Sequence, residues 1–180
     1  MKTNFVGWYR HAAQENMGRI AELFAVLEKA LPGFDSINLT ESGENARALK
    51  VAFRGMDEDD KLHRYGLGQL SDGQKALVAL YSLILLSANG RVSLFLDEPD
   101  NYLALREVQP WLAEVVERCG DTLEQAVLVS HHPVTIDYMA GAKGRWFFRD
   151  NDGPVRVSDK PESTVDGLSL AETVARGWER

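Results

Sequence analysis

Cysteine is nearly absent from this chain of 180 residues: Cys119 stands alone. An intrachain disulfide is therefore impossible, and a metal site of the CxxC kind is excluded. Positive charge is in deficit, with 20 Lys and Arg against 27 Asp and Glu, a formal net charge of -7. Neutralising phosphates takes an excess of cations, so a broad nucleic-acid-binding surface does not fit this balance, although a local basic patch does. No apolar run is long enough to cross a bilayer. The longest, Ala76 to Ala88, falls well short of the ~20 residues a spanning helix needs. The first residues, MKTNFVGWYRH, lack the continuous apolar segment of a secretory signal. These absences lead to the expectation of a cytoplasmic protein with no membrane partner. Internal repeats, low-complexity linkers and breaks in composition are absent as well, so one domain with a real core is expected over residues 1–180.

What is present divides into three parts. In residues 1–65, apolar side chains from Phe5 to Leu31 recur at three- and four-residue steps. That spacing predicts one long amphipathic helix, closed by Pro32 and Gly33. Ile37 to Leu39 and Ala46 to Phe53 read as two paired strands around the turn-rich ESGEN, and MDEDDK (56–61) as an acidic surface loop. In residues 66–140, Ser71 and Gln74 have the spacing of a capping box. The helix beyond them is apolar almost all round from Ala76 to Leu86, so it should be buried centrally and end at Asn89-Gly90. Val92 to Leu96 reads as a fully buried strand that Pro99 terminates. A helix from about Glu107 to Cys119 follows, with Pro110 in its first turn, then a second buried strand from Gln125 to Ser130 and a short helix over 133–139. Residues 141–180 read as a closing hairpin, Arg145 to Arg149 with Val155 to Val157 around Asp150 to Pro154, and a terminal helix from Leu168 to Trp178. The alternation of strand and helix over 66–139 predicts an α/β fold with a mostly parallel sheet flanked by helices.

The chemistry gathers at two strand ends, Asp97-Glu98 and Ser130-His131-His132. If the strands are parallel neighbours, those ends face one crevice, where open α/β sheets bind ligands. Adjacent carboxylates near a core need a cation or a hydrogen-bond network. At Ser71 to Gln74 a hydroxyl and the free amides of a helix N-terminus form a ready anion site, while the same residues would also serve as a plain capping box. Gly73 carries a propensity cost in a first helical turn and would permit a phosphate to approach closely.

LSDGQ (Leu70 to Gln74), FLDEPD (Phe95 to Asp100) and VSHHP (Val129 to Pro133), in that order, resemble the second half of an ABC-type ATPase. The match is to the stand-alone ATPases of the AAA family, related to RecF, RecN and the SMC head domains. It covers most of the chain, including the amphipathic helix and the tail GLSLAETVARGW. The resemblance implies a P-loop NTPase fold of the ABC type that uses ATP and Mg²⁺. It implies that Ser71, Gly73 and Gln74 face the γ-phosphate held by a partner subunit, that Asp97 is the Walker B ligand to Mg²⁺, and that Glu98 is the base for the attacking water. Asp100 would open the loop that crosses the dimer interface and stand among the nucleotide-contacting residues. His131 aligns with the switch histidine; His132, which replaces the family's serine, competes for that role.

The phosphate cradle of such an enzyme, G-x-x-x-x-G-K-[ST], is missing. Its nearest imitation, Gly68 to Gly73 followed by Gln74 and Lys75, has its lysine one residue late and no hydroxyl after it. The expectation is therefore a truncated product, a fragment or one half of a split enzyme, which pairs as a homodimer or with a Walker A half and binds ATP poorly alone. Through the full assembly it would meet DNA, in repair, chromosome maintenance or phage defence. Two alternatives stand beside this one. The first is a non-catalytic dimerisation or regulatory module; the second is a metal-dependent nuclease built on Asp97, Glu98, His131 and His132, with Asp150 and Asp152 as a further acid pair.

Overall fold

The apolar stripe of the first thirty residues does not form one helix. In the computed structural model it breaks into α1 (Lys2–Glu15) and α2 (Ile20–Ala30) around a 3-10 turn at Met17–Arg19. The break centres on Asn16, whose φ of -122° leaves the helical region. Its side-chain amide donates to the Ala12 carbonyl and, 70 residues away, to the Leu86 carbonyl, both at 2.8 Å. Asparagine bonds readily to nearby backbone and is a weak helix former, so a buried partner decides the matter. The structure describes residues 2–41, 47–55, 61–87, 92–149, 153–159 and 167–176. The ESGEN turn after Glu41, the acidic loop over 56–60, the Asn89-Gly90 helix end, the Asp150 and Asp152 pair and the end of the tail at Trp178 lie outside them.

After α2, strands β1 (Phe34–Glu41), β2 (Arg47–Arg54) and β3 (Leu62–Gly66) form an antiparallel meander. The register runs Ile37 to Val51 and Ala52 to Arg64. Strand β3 is absent from the sequence reading because LHRYG has no buried side chain. Its backbone bonds to β2 make it a strand, with the half-exposed Tyr65 packed edge-on against Phe53 at a ring-centroid distance of 6.0 Å.

Helix α3 (Asp72–Leu86) fills the centre as expected, with Leu77, Val78, Ile84 and Leu85 sealed from solvent. Around it pack Leu23 and Leu27 of α2, Leu49 and Val51 of β2, and Trp111, Leu112 and Val115 of α4 (Leu105–Arg118). Arg118 fastens α4 to α2 by pairing with Glu22, and is braced within α4 by Glu114 at 2.7 Å. Helix α4 starts earlier than its proline suggests: Glu107 reaches back to accept from the Ala104 amide at 2.8 Å. Pro110 therefore sits in the second turn, not the first, and one backbone bond to Arg106 is lost there.

Strand β4 (Val92–Asp97) pairs in parallel with β5 (Leu123–Val129), from Ser93 opposite Gln125 to Asp97 opposite Val129. This parallel pair, with helices on it, gives the α/β core expected over 66–139. The other five described strands are antiparallel. Neither core strand is buried on both faces. Leu94 on β4 and Ala126 and Leu128 on β5 turn to the core, whereas Phe95 is 72% exposed and Val129 58% exposed. Successive side chains of a strand point to opposite sides, and among the described residues the second side has no cover. A further apolar run without periodicity reads as burial on both faces, which is why the sequence overstates it.

Beyond β5 comes a single helical stretch: α5 (Pro133–Thr135), a π turn (Ile136–Ala140) and α6 (Gly141–Lys143). The hairpin of β6 (Trp146–Arg149) and β7 (Val155–Ser158) then forms as expected, and α7 (Leu170–Ala175) closes the described chain. Among the described residues, no helix is long and apolar enough to cross a membrane.

Candidate active site

Because β4 and β5 run parallel in adjacent positions, their carboxyl ends lie side by side. The ladder extends one step past β4: the Glu98 amide donates to the Val129 carbonyl at 2.8 Å. Glu98 itself lies in the left-handed region, with φ of 48°, a conformation that costs a non-glycine residue free energy. One oxygen of its half-buried carboxylate meets Nδ1 of His131 at 2.7 Å. A carboxylate only accepts, so Nδ1 is the donor. The imidazole is 77% exposed, and its pKa is raised from the ordinary 6.5 chiefly by this hydrogen bond, with the Glu98 charge next. The second oxygen of Glu98 is buried without a partner among the described residues.

His132 does something else. Its Nδ1 accepts from the Val134 amide at 3.3 Å, capping α5, with Pro133 in the first helical position. The two histidines thus separate on geometry: the first faces the carboxylate and the second holds a helix end.

Asp97 ends β4 with an exposed side chain, next to Glu98. Asp100 is not on the crevice surface, where the resemblance places a nucleotide contact. It is fully buried, and one of its oxygens accepts from the Ser130 hydroxyl at 2.6 Å and from the Thr135 hydroxyl. Two hydroxyl donors turn the carboxylate inward. The sequence reading gives Ser130 and Thr135 no role of their own; hydroxyls on both sides of His131 are the one sequence signal for it.

The LSDGQ segment forms the capping box. The Gln74 amide donates to the Ser71 hydroxyl oxygen at 3.2 Å, and the Ser71 amide to the Gln74 side chain at 3.0 Å. The remaining first-turn amides, of Asp72 and Gly73, have no intrahelical acceptor. Gly73 has a second reason to be glycine: a Cβ there would lie 2.9 Å from the Tyr102 backbone carbonyl. What approaches this glycine within the chain is the loop after β4, so the helix start and that loop touch.

Whether Mg²⁺ and ATP suit these residues turns on unsatisfied groups. At the crevice, the second oxygen of Glu98 is a buried carboxylate atom without a partner among the described residues, and the exposed Asp97 carboxylate stands next to it. A hard cation takes such oxygens, and Mg²⁺ is held by one or two carboxylates with phosphates and water supplying the rest. Among the described residues no group of three or more His, Cys, Asp or Glu is placed to hold a metal alone. The acidic end of β4 therefore suits Mg²⁺ that arrives with a nucleotide. A groove of about 520 Å³, lined by Val26, Lys29, Tyr81, Arg106 and Pro110 among others, shares no residue with this crevice.

A family model described as "AAA domain, putative AbiEii toxin, Type IV TA system" matches residues 10–137, from α1 into the π turn, and so takes in the whole crevice. Among solved structures, one from work on ATP-driven dimerization and DNA-stimulated activation of SMC ATPases superposes with a TM-score of 0.61 at 17% identity, covering 96% of this chain and 98% of that one. The Smc head domain with a coiled coil and joint from Pyrococcus yayanosii superposes with a TM-score of 0.57 at 20% identity; the match covers 90% of this chain and 29% of that one. At these identities the likeness shows the fold, that of a P-loop NTPase of the SMC-head type. No curated protein matches the chain.

Proposed function

The chain belongs to this AAA domain family, and we propose on that basis that it is the Walker B, signature and switch-histidine half of an ABC-type ATPase. The observation that carries the reading is the 2.7 Å contact between Glu98 and His131 across the ends of two adjacent parallel strands. A base for the attacking water has to stand at a strand end, ionised and fixed in direction, and a histidine donor fixes it. Glu98 takes the proton of the water. His131, its Nδ1–H committed to Glu98, donates its other N–H to the γ-phosphate when the imidazole is protonated, a form that its raised pKa favours. Asp97 would hold Mg²⁺, which supplies charge neutralisation at the phosphates, and the second oxygen of Glu98, which has no partner among the described residues, is left for the water's proton. Ser71, Gly73 and Gln74 serve a nucleotide held by the other subunit, through the free first-turn amides and the outward proton of the Ser71 hydroxyl.

No residues of this sequence form the phosphate cradle, so ATP has to be presented by a chain or segment that carries one. The uncovered side of β4 and β5, with Phe95, Val127 and Val129 exposed, supports docking of that Walker A half. ATP-driven dimerisation of the kind named for the SMC structures would then bring the LSDGQ segment to a nucleotide held by the other subunit. DNA repair, chromosome maintenance and phage defence are the processes such an assembly serves.

The test has two arms. Titrated alone with Mg²⁺ and ATP, the chain should bind weakly or not at all. In the assembly with its Walker A half, Glu98→Gln should abolish hydrolysis and leave ATP binding intact. Turnover that survives Glu98→Gln removes the base assignment. An assembly that never binds ATP leaves a dimerisation module with an ATPase fold.

A further inference from the structure

A carboxylate sealed from solvent is costly unless something holds it. Asp100 is 0% exposed and lies two residues beyond Glu98. Its acceptor oxygen is shared by the hydroxyls of Ser130 and Thr135. The Ser130 oxygen in turn accepts from the His132 amide at 3.0 Å. His131 is thus bracketed: Ser130 precedes it, His132 and Thr135 follow it, and all three are tied directly or through one bond to Asp100. The side chain of His131 is itself largely in water, where a single ion pair contributes little and does not order two side chains. The order of the Glu98–His131 contact has to come from the backbones beneath it. The ladder supplies one tie, from the Glu98 amide to Val129. Asp100 supplies the rest, with bonds to a charged acceptor that are roughly twice as strong as neutral ones.

We infer that Asp100 is a positioning residue, a buried latch between the loop after β4 and the loop after β5 that holds His131 opposite Glu98. Its bearing on hydrolysis rests on the function proposed above; the latch does not. Its charge also acts on His131 through space, the weakest of the causes that raise that pKa. A clean test therefore removes the two hydroxyls and keeps Asp100 in place.

The readout is the imidazole ¹⁵N spectrum of the full chain at a pH where the histidines are neutral. His131 donates through Nδ1 and should show the Nδ1–H tautomer. His132 accepts at Nδ1 and should show Nε2–H. In the double variant Ser130→Ala, Thr135→Val the Nδ1–H share of His131 should fall from the majority to a minority, as it does in Glu98→Ala, while His11 and His63 stay unchanged. Asp100→Asn keeps an oxygen for both hydroxyls and should retain most of the Nδ1–H form; Asp100→Ala should lose it. A folded double variant with an unchanged His131 spectrum overturns the latch. If the double variant does not fold, each single variant is read instead. A partial loss of Nδ1–H in Thr135→Val or Ser130→Ala upholds the latch, and no change in either overturns it. None of these spectra depends on ATP turnover, so failure of the ATPase reading and failure of the latch are distinguishable.

Discussion

Replacing Gly73 by alanine sets two accounts of that glycine against each other with opposite signs. If Gly73 is needed only so that a phosphate can approach, the nucleotide-free chain should gain stability from alanine. The gain is up to ~1 kcal/mol in a helix interior and less in the first turn, where Gly73 stands. The structure argues for the other sign. An added Cβ would lie 2.9 Å from the Tyr102 carbonyl oxygen, whereas carbon–oxygen contacts settle at about 3.3 Å or more. The backbone at Tyr102 would have to retreat by roughly half an ångström. It is poorly placed to do so: the Leu103 amide is bonded to the Asp100 carbonyl at 3.0 Å, and Leu103 is buried in the core. Forcing an extra carbon into a packed site costs about 1–3 kcal/mol. The cost wins, and Gly73→Ala should destabilise the isolated chain by about 1 kcal/mol, or about 2–4 °C in Tm for a chain of this size. Urea unfolding followed by circular dichroism, without nucleotide, measures it. A variant that is as stable as the parent or more so refutes the packing account and returns Gly73 to the phosphate alone.

Asn16→Ala should also destabilise the fold. It leaves the buried Leu86 carbonyl without its donor, a loss of about 1–3 kcal/mol that a recovered helix propensity of about 0.5 kcal/mol does not offset; the urea midpoint reports it. His131 should titrate above its ordinary value of 6.5, and Glu98→Gln should move the midpoint down, as followed by NMR. The sign follows from the raised pKa. The favourable coupling is fully present below the unfolded pKa and is lost as pH rises through the folded one.

The legible features of this chain share a cause: they are local. The capping box of Ser71 and Gln74 needs four residues, and it formed as read. The apolar α3 and the two strand ends that meet at one crevice also follow from short segments and one topological rule. What stayed hidden depends on residues far apart in sequence. Asn16 looked like one polar position in a helical stripe until Leu86 supplied an acceptor 70 residues on. Asp100 sits in a motif where acids face a ligand, and only Ser130 and Thr135 turn it inward. Pro110 was expected to mark a first turn, because nothing local announces that Glu107 caps the helix at Ala104. Strand β3 has no buried side chain, so its sequence carries no pattern to read.

The left-handed backbone at Glu98 has a consequence for anyone who would make this protein hardier. Glycine adopts that conformation freely and asparagine tolerates it, while glutamate pays roughly 1–2 kcal/mol. A library screened for heat resistance would accordingly be drawn to Gly or Asn at position 98. The survivors would be robust and, on the reading given above, catalytically dead. Selection for activity has to be applied in the same round, because at this position durability and chemistry pull the codon in opposite directions.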